Sequence, residues 1–371
     1  MTAVVEVVEQ SRESARAVVA VPLETAPEVV QALTRLSFEP APTAQVVGYV
    51  GRNDNWGLTV SGGRSVFVKR LTGPAQETSV RLARAVAFAA LVGAAPPRHW
   101  HAADLLGSDT DARVLVFEQV PDSVSAGELA DDLDVGLARR IGRAVGELHS
   151  MAPAAPPAAE PPSPRLANRL AALTLEQYAQ CSGAELDAWA LLQHDKQLNR
   201  ALAALARQSQ AAPQVPSHRD LRLDQILLAG DRIHLIDWEE YGPADPAVDV
   251  GSFVGEWLHR AASAMFADAG EQDGASADAH AALVRRGARE LEVVRPLVMA
   301  FWSGYRQEYP PDDGLAARAA AYAGWHLFDR MLARARYATH LGALERGIAG
   351  IGRNALIGGP EFVETIGLED A

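Results

Sequence analysis

The sequence predicts an α+β protein with two lobes, a small β-rich N-terminal lobe and a larger, mainly helical C-terminal lobe. Three observations predict this. Apolar residues alternate in short runs between residues 46 and 69, with Gly-containing turns between the runs. From about residue 135 apolar residues recur at helix spacing. One β-hairpin, at residues 226–236, interrupts this helical part. A chain of 371 residues can form two lobes around a cleft, and we divide it into residues 1–118 and 119–371.

Composition narrows the class of protein. The net charge of −13 argues against a general nucleic-acid binder, which usually carries a basic face. The single cysteine, Cys181, excludes a disulfide within the chain and favours a reducing cytoplasm. Neither a signal peptide nor an uncharged apolar run long enough to span a bilayer is present, so we expect no membrane association.

The N-terminal lobe begins with a predicted helix over residues 25–37, in which Thr25 and Glu28 form a capping-box pattern. Three antiparallel strands follow, at residues 46–50, 58–60 and 65–69. The first turn, residues 51–57, and its flank contain Gly48 and Gly51, where backbone amides could approach a phosphate. By alternation Lys69 lies on the opposite face of the third strand from Val66 and Val68, the face where a phosphate could be met.

A helix over residues 75–92 comes next, with Val80, Ala83, Ala87 and Leu91 on its predicted apolar face. Glu77 is the only carboxylate between Lys69 and Asp104, so it is the one candidate in this helix for an acidic partner of Lys69. A strand is predicted at residues 112–118, and residues 119–122 form a connector between the lobes.

The C-terminal lobe is predicted to be helical at residues 135–151, 170–208, 250–267, 276–309 and 316–350, with a Pro/Ala-rich linker at 152–164. The last of these helical stretches carries His326, Arg330, Arg334 and Arg336, which we interpret as solvated or structural.

Residues 217–249 contain several of the candidate functional residues. Two short apolar runs flank the turn Ala229-Gly230-Asp231 and predict a β-hairpin. Asp220 and Gln225 precede the hairpin and Asp237 follows it, so the three polar groups would meet at one rim. Two carboxylates and an amide at such a rim can bind a divalent cation and accept a proton.

This order of elements resembles the protein-kinase-like fold, and within it the aminoglycoside phosphotransferase-like family. That family shows His-Gly-Asp, four residues and Asn, then Ile-Asp-Trp/Phe-Glu, then Asp-Pro-x-x-Asp. Here the matching segments are His218-Arg219-Asp220 to Gln225, then Ile236-Asp237-Trp238-Glu239, then Asp245-Pro246-Ala247-Val248-Asp249. The resemblance covers about residues 45–335.

The resemblance implies an ATP-dependent kinase that uses Mg²⁺ and acts on a hydroxyl. Asp220 would accept or orient the proton of the attacking hydroxyl, and Asp237 would hold Mg²⁺. Gln225 stands where the family usually has a metal-binding Asn, so the resemblance leaves open whether a second metal ion binds. Lys69, paired with Glu77, would contact the α- and β-phosphates. The backbone of the predicted hinge, including Phe117, Glu118 and Val120, would meet adenine.

The resemblance also implies supporting roles and shows two departures. His218 and Asp249 would brace the catalytic loop. Arg219 replaces the usual Gly, and Arg222 stands where a His is common. Either arginine could alter the entrance for the acceptor, or Arg219 could form a structural ion pair.

The acceptor is the remaining question. Residues 51–56 and 66–71 resemble stand-alone kinase subunits of lanthipeptide- and thioamitide-type biosynthesis. Those subunits phosphorylate Ser or Thr of a precursor peptide before a separate lyase eliminates the phosphate. The first alternative is a kinase for a small molecule such as an aminoglycoside, a sugar or a choline-like compound. The second is a nucleotide-binding pseudokinase scaffold, against which the intact Lys69, Asp220 and Asp237 argue.

Overall fold

A computed structural model describes residues 20–42, 45–152, 170–267 and 277–369. It confirms the α+β fold class, with a β-sheet in the N-terminal part and helices in the C-terminal part. The linker predicted at residues 152–164 lies outside the described residues except for its first position. Within these ranges no helix is both long and apolar enough to cross a membrane.

The N-terminal part is a five-stranded antiparallel sheet in the order β1-β2-β3-β6-β5. Its strands are β1 (Val47–Tyr49), β2 (Asp54–Thr59), β3 (Ser65–Arg70), β5 (Leu105–Asp109) and β6 (Val114–Glu118). The predicted turn at residues 51–57 is corrected, because β2 already begins at Asp54 and Asn55 pairs with Tyr49. The two strands therefore enclose a loop of only four residues.

A short helix covers one face of this sheet. Helix α1 (Pro27–Arg35) begins one residue later than a capping box at Thr25 requires. Ala26 is the N-cap, and the Thr25 hydroxyl donates a hydrogen bond to the Pro22 carbonyl instead. Proline fits the first helical position because its missing N–H has no partner there. Val29 and Leu33 of α1 are fully buried with Trp56, Val66 and Val68 of the sheet.

The other face of β3 looks into the molecule, towards helix α2 (Ala75–Ala94). Of the four residues predicted on the apolar face of this helix, Leu91 is buried, Ala87 is half-buried against the main core, and Val80 and Ala83 are half-buried. The buried residues are Thr78, Arg81, Leu82, Ala85, Phe88 and Leu91. Phe88 stacks on Trp238 with ring centroids 3.5 Å apart, so α2 packs against the segment that follows the hairpin.

The hairpin forms as predicted. Strands β9 (Ile226–Ala229) and β10 (Arg232–Leu235) pair across a two-residue turn, in which Gly230 adopts φ +57°. Short strands β4 (His101–Ala102) and β7 (Val124–Ser125) extend it to a sheet in the order β4-β10-β9-β7. Strands β8 (Val215–Ser217) and β11 (Gly242–Ala244) pair beside it and bring residues 218–220 next to residues 237–241.

The other α-helices of the described residues lie in the C-terminal part. They are α3 (Val135–Ser150), α4 (Leu175–Gln180), α5 (Gly183–His194), α6 (Lys196–Ala211), α7 (Ala247–Ala267), α8 (Ala277–Glu308), α9 (Leu315–Ala335), α10 (Ala343–Ile357) and α11 (Gly359–Ile366). The stretch predicted as one or two helices over 170–208 contains three, since Ser182 and Asp195 each cap a new helix. The helix predicted over 316–350 breaks at residues 336–342. Its last turns therefore belong to α10.

Helices α3 and α8 lie in close contact at the base of the site. A Cβ on Gly142 of α3 would lie 2.0 Å from the Phe301 carbonyl oxygen, and one on Gly304 of α8 would lie 2.0 Å from that of Arg139. Glycine at both positions lets the two backbones approach closely. The core between them buries Ile141 and extends to the hairpin, so it fixes the elements that carry the polar residues.

Candidate active site

The loop after β8 is held by one buried carboxylate. Asp249, in the first turn of α7, accepts hydrogen bonds from the backbone N–H groups of His218 and Arg219, both at 2.7 Å, and lies 3.1 Å from Nε2 of His149. Burial acts to raise the pKa of Asp249, but the His149 and His218 contacts outweigh it and lower the pKa. The bracing role predicted for Asp249 therefore has a direct geometric basis.

The backbone at Arg219 is left-handed, with φ +67°. Glycine adopts this conformation without cost, whereas other residues pay about 1 kcal/mol or more. This conformation gives a physical reason for a glycine at this position in similar sequences. The side chain of Arg219 lies against Gly242, and its charge is close to Arg84, Glu240 and Asp249. It thus faces α2 and the lobe junction.

His218 connects the two polar loops. Its Nε2 donates a hydrogen bond to the Ile236 carbonyl at 2.8 Å, and its Nδ1 accepts one from the Asp220 N–H at 3.3 Å. The imidazole also packs on Trp238, with ring centroids 4.5 Å apart. A single fully buried side chain thus sets the position of Asp220 relative to Asp237.

Asp220 is partly open to solvent, with 42% of its side chain exposed. The Arg222 guanidinium lies 3.3 Å from the carboxylate. Desolvation raises the pKa of Asp220, with Arg222 and His218 acting in the opposite direction and Asp237 and Glu239 adding to the rise. Of the two unusual arginines, Arg222 is the one beside the predicted catalytic carboxylate.

Asp237 and Gln225 meet at the open end of the hairpin, as predicted. The Ile236 N–H donates a hydrogen bond to the Gln225 backbone carbonyl at 3.0 Å. The side chains of Gln225 and Asp237 line the same cavity. Asp237 is left-handed, with φ +69°, and a single turn of 3-10 helix, Trp238–Glu240, begins immediately after it. Burial acts to raise the pKa of Asp237, but Lys69, His218 and Arg222 lower it. Its carboxylate is therefore favoured in the ionised form that binds cations.

The predicted partner of Lys69 is wrong. The Lys69 ammonium donates to Asp237 and lies 3.4 Å from Glu239, while Glu77 accepts a hydrogen bond from Arg52 of the loop between β1 and β2. Elimination along the sequence failed because the acidic neighbours of Lys69 come from residues 237–239 in the other lobe. Burial lowers the pKa of Lys69, but the two carboxylates outweigh it and raise the pKa.

A cavity of about 550 Å³ lies between the sheet and the helical part. Its lining includes Lys69, Phe117, Glu118, Val120, Gln225 and Asp237, so the predicted hinge and the polar rim share one space. Gly48 and Gly51 do not line it, although the neighbouring Tyr49 and Val50 do. A Cβ on Gly48 would lie 2.9 Å from Cβ of Ala20, which gives a packing reason for this glycine. A contact of either glycine with phosphate stays a prediction.

Three buried polar residues at the lobe junction were missed in the sequence. Arg81 of α2, Asn53 and Glu239 are 1%, 5% and 6% exposed. One signal was available for Arg81, which shares a helix face with Ala85 and Phe88 at spacings of four and seven. None was available for the contact itself, because Arg81 and Glu239 are 158 positions apart.

Comparisons with known proteins support the kinase-like interpretation. The model of the phosphotransferase enzyme family (APH) matches residues 43–291. No curated protein matches the chain.

Several solved structures share the fold. The choline kinase LicA from Streptococcus pneumoniae has a TM-score of 0.56 at 12% identity, over 90% of this chain and 99% of that one. A microcompartment-associated aminopropanol kinase has a TM-score of 0.54 at 16% identity, over 93% and 99%. The amicoumacin kinase hAmiN, solved in complex with AMP-PNP, Ca²⁺ and Ami, has a TM-score of 0.54 at 15% identity, over 91% and 96%. At these identities the likeness establishes the fold.

Proposed function

Because the chain belongs to the phosphotransferase enzyme family, we propose that it transfers the γ-phosphoryl group of ATP to the hydroxyl of Ser or Thr in a precursor peptide of bacterial natural-product biosynthesis. One observation carries the kinase part of this proposal. Lys69, Gln225 and Asp237 line one cavity, and a single histidine, His218, ties Asp237 to Asp220. Phosphoryl transfer asks a protein mainly for such positioning and for neutralisation of charge.

Asp220 acts on the acceptor hydroxyl in this proposal. Its exposed carboxylate faces the side from which an acceptor would arrive, and its raised pKa makes it a better proton acceptor than an ordinary aspartate. Arg222 stands beside it and limits the rise. The hydroxyl proton would pass to a carboxylate oxygen of Asp220 as the new O–P bond forms and the bond between the γ-phosphorus and the β–γ bridging oxygen breaks, with ADP as the leaving group.

Asp237 and Gln225 are the residues that would hold Mg²⁺, which supplies charge neutralisation at the phosphates. The described residues contain no cluster of three or more His, Cys, Asp or Glu side chains suited to a metal. One carboxylate and one amide oxygen fit Mg²⁺ nevertheless, because at kinase sites this ion takes few protein ligands and completes its shell with phosphates and water.

Lys69 and the hinge would bind the nucleotide. The Lys69 ammonium lies at the end of the cavity beside Asp237, where it would meet the α- and β-phosphates. Phe117, Glu118 and Val120 line the part of the cavity next to the connector, where the adenine would bind. Gly48 and Gly51 would act indirectly, by shaping the loop that places Tyr49 and Val50 over the cavity.

Two arguments support a peptide acceptor. Residues 51–56 and 66–71 resemble kinase subunits that phosphorylate peptides, and Arg52 and Asn53 of that stretch make contacts at the lobe junction. A groove of about 780 Å³, lined by Leu223, Asp224 and Glu256, adjoins the catalytic loop, and part of a peptide would bind there. A phosphorylated Ser or Thr would then lose phosphate at a separate lyase, with the phosphate as leaving group.

An amine-bearing small molecule is the second candidate. Asp329 is exposed, and it lies close enough to Asp220 for the two negative charges to interact. A cationic group of an acceptor would relieve this pair of carboxylates. The choline and aminopropanol kinases that share the fold act on such compounds by their names.

A direct assay separates the two candidates. The protein would be incubated with ATP and Mg²⁺, and either with Ser/Thr-rich precursor peptides encoded beside its gene or with choline, aminopropanol and spectinomycin. Mass spectrometry would detect the added phosphate. We expect phosphate on a peptide. Phosphate on a small molecule alone overturns the peptide proposal, and ATP binding without turnover on any acceptor favours the pseudokinase alternative.

Asp220→Asn is the matched variant for this assay. It keeps the shape of the side chain and removes the base, so we expect turnover to fall about 10²–10⁴-fold while ATP binding is retained. Turnover equal to that of the unaltered enzyme would remove Asp220 from its proposed role.

A further inference from the structure

We propose that Glu239, from the C-terminal lobe, is the positioning residue for Lys69, and that Arg81 of α2 holds Glu239 in place. This inference rests on the proposed function, in which Lys69 binds the nucleotide phosphates. It assigns to Glu239 the task that the sequence suggested for Glu77.

Glu239 makes contacts with three side chains of the N-terminal lobe. Its Oε1 accepts a hydrogen bond from Nη2 of Arg81. Its Oε2 accepts one from Nδ2 of Asn53 at 2.8 Å and lies 3.4 Å from the ammonium of Lys69. The side chain is 8% exposed and that of Arg81 is 1% exposed, so these contacts are shielded from water. Charge pairs in such surroundings are screened less than at the surface.

Asn53 and Arg81 are themselves fixed by the backbone. Oδ1 of Asn53 accepts from Nη2 of Arg81 at 3.0 Å and from the Thr72 N–H at 3.2 Å. Nη1 of Arg81 donates to the Thr72 carbonyl at 3.1 Å. Glu239 therefore meets a preformed set of donors, which limits its carboxylate to one orientation beside Lys69.

This arrangement differs from the usual kinase pair. In protein kinases the strand lysine pairs with a glutamate on the helix of the N-terminal lobe. Here the buried charged residue of helix α2 is Arg81. Glu77, one turn earlier, accepts a hydrogen bond from Arg52. The helix supplies a cation, and the acid comes from the turn that follows Asp237.

A second carboxylate at Lys69 has a clear use. Lys69 donates to Asp237, the residue that would hold a metal with the nucleotide. Glu239 would remain beside Lys69 when Asp237 binds the metal. Glu239 is poorly placed to bind the metal itself, because a positive charge already lies at each of its oxygens, the Arg81 guanidinium at Oε1 and the Lys69 ammonium near Oε2.

The test measures ATP binding without metal, so that no metal ion takes part in holding the phosphates beside Lys69 and its partners. Binding of ATP in EDTA would be titrated calorimetrically for the full-length wild type, for Glu239→Gln and for Glu77→Gln, with Lys69→Ala as the positive control. We expect Glu239→Gln to weaken metal-free binding roughly 10- to 100-fold, the range for losing a hydrogen bond to a charged group, and Glu77→Gln to leave it unchanged.

A double variant separates positioning from folding. Glu239→Gln leaves the Arg81 guanidinium buried without its acid, which costs stability. Arg81→Gln/Glu239→Gln removes both charges, so we expect its urea midpoint to lie closer to that of the wild type while its ATP binding stays weak. Glu240→Gln is the neighbouring control: Glu240 pairs with Arg84 and lies 3.8 Å from Nε of Arg81, whereas the acids at Lys69 are Asp237 and Glu239.

Each contrary result is distinct. Weak binding by Glu77→Gln with normal binding by Glu239→Gln overturns the inference in favour of the helix acid. Recovery of ATP affinity in the double variant overturns it in favour of a purely structural role. A loss seen only with Mg²⁺ present makes Glu239 a metal ligand and overturns it as well. Absence of ATP binding by the wild type overturns the proposed function, and the inference with it.

Discussion

Two residues of the candidate site, Arg219 and Asp237, have left-handed backbone conformations, and buried contacts hold them in place. Arg219 has φ +67° and Asp237 has φ +69°. Such conformations cost of order 1–3 kcal/mol and persist only where their surroundings fix them. Asp249 fixes the first through two backbone N–H groups, and His218 links it to the second through the Ile236 carbonyl. The positions of Asp220 and Asp237 therefore depend on Asp249.

This dependence predicts the effect of Asp249→Asn. An amide can turn only one acceptor oxygen towards the two N–H groups, and its NH₂ group would face the other. We expect the free energy of unfolding to fall by about 2–3 kcal/mol, the penalty for an unsatisfied buried group, and turnover to be largely lost. Urea unfolding and the kinase assay would measure the two effects. Asp231→Asn, in the exposed hairpin turn, is the control; equal behaviour of the two variants would contradict the role of Asp249.

A second residue, His259 on α7, predicts a pH dependence of stability. It is 8% exposed, and burial together with Arg334 and Arg330 lowers its pKa to about 4 from an ordinary value of 6.5. The unfolded chain therefore binds a proton at His259 before the folded one does. Its contribution is fully present above pH 6.5 and is lost as the pH falls through about 4, up to about 2–3 kcal/mol.

Urea unfolding between pH 4 and pH 7 would show this contribution as a slope. We expect His259→Gln to flatten the slope, and the exposed His340→Gln to leave it as it is. Glu256, whose pKa is lowered from 4.5 to about 2, adds a slope of the same sign below about pH 4.5, so the variants are compared between pH 5 and pH 7. An unchanged slope in His259→Gln would assign the pH dependence to other groups.

At the scale of elements, glycine spacing decides how closely α3 and α8 pack. Gly142→Ala would place a methyl group 2.0 Å from the Phe301 carbonyl oxygen, so the helices must move apart. We expect a loss of about 2–3 kcal/mol, typical of overpacking. Gly350→Ala is the matched control, because a Cβ at this position inside α10 would meet no atom of another element within 4 Å, and alanine there should stabilise by about 1 kcal/mol. Thermal unfolding of both variants measures the contrast; effects of the same sign would contradict it.

Elements with local signals were predictable from the sequence. The hairpin at residues 226–235 follows from two alternating runs and a Gly-Asp turn, and α3 follows from its four-residue spacing. The break at residues 336–342 was not predictable in this way, because apolar residues continue at helix spacing across it. Part of the buried face of α2 was also missed, since Thr78 and Arg81 are polar residues buried by contacts with other segments.

The same distinction applies to the site. Gln225 and Asp237 lie 12 positions apart on either side of a hairpin, so their meeting in the cavity could be predicted. Asp220 does not line the cavity and is linked to the Asp237 segment through His218. The contact between Lys69 and Glu239 joins residues 170 positions apart. No periodicity or turn signal reports such a contact, and the choice between Glu77 and Glu239 required the packing of α2 on the other lobe.

At the scale of the whole molecule, α2 joins the two lobes. Phe88 and Leu91 belong to the same buried cluster as Ile141 of α3 and Trp238. Arg81 and Arg84 pair with Glu239 and Glu240 on the same side. The helix is thus attached to the segment that carries Asp237, although it precedes the division that we propose between residues 118 and 119. Ligand bound in the cavity would contact both lobes and this junction at once.

This geometry predicts that ATP with Mg²⁺ stabilises the molecule as a whole. A ligand that binds only the folded state at 100 times its Kd adds about 2.7 kcal/mol to the free energy of unfolding. Lys69→Met should abolish most of this gain, because it removes the charge beside Asp237. Phe253→Leu is the control: it weakens the stack on Phe301 and lowers the starting stability, and neither of these two residues lines the cavity. Thermal unfolding with and without ATP and Mg²⁺ measures both variants. An equal gain in Lys69→Met and the unaltered enzyme would place the nucleotide away from Lys69, and the site would have to be assigned elsewhere.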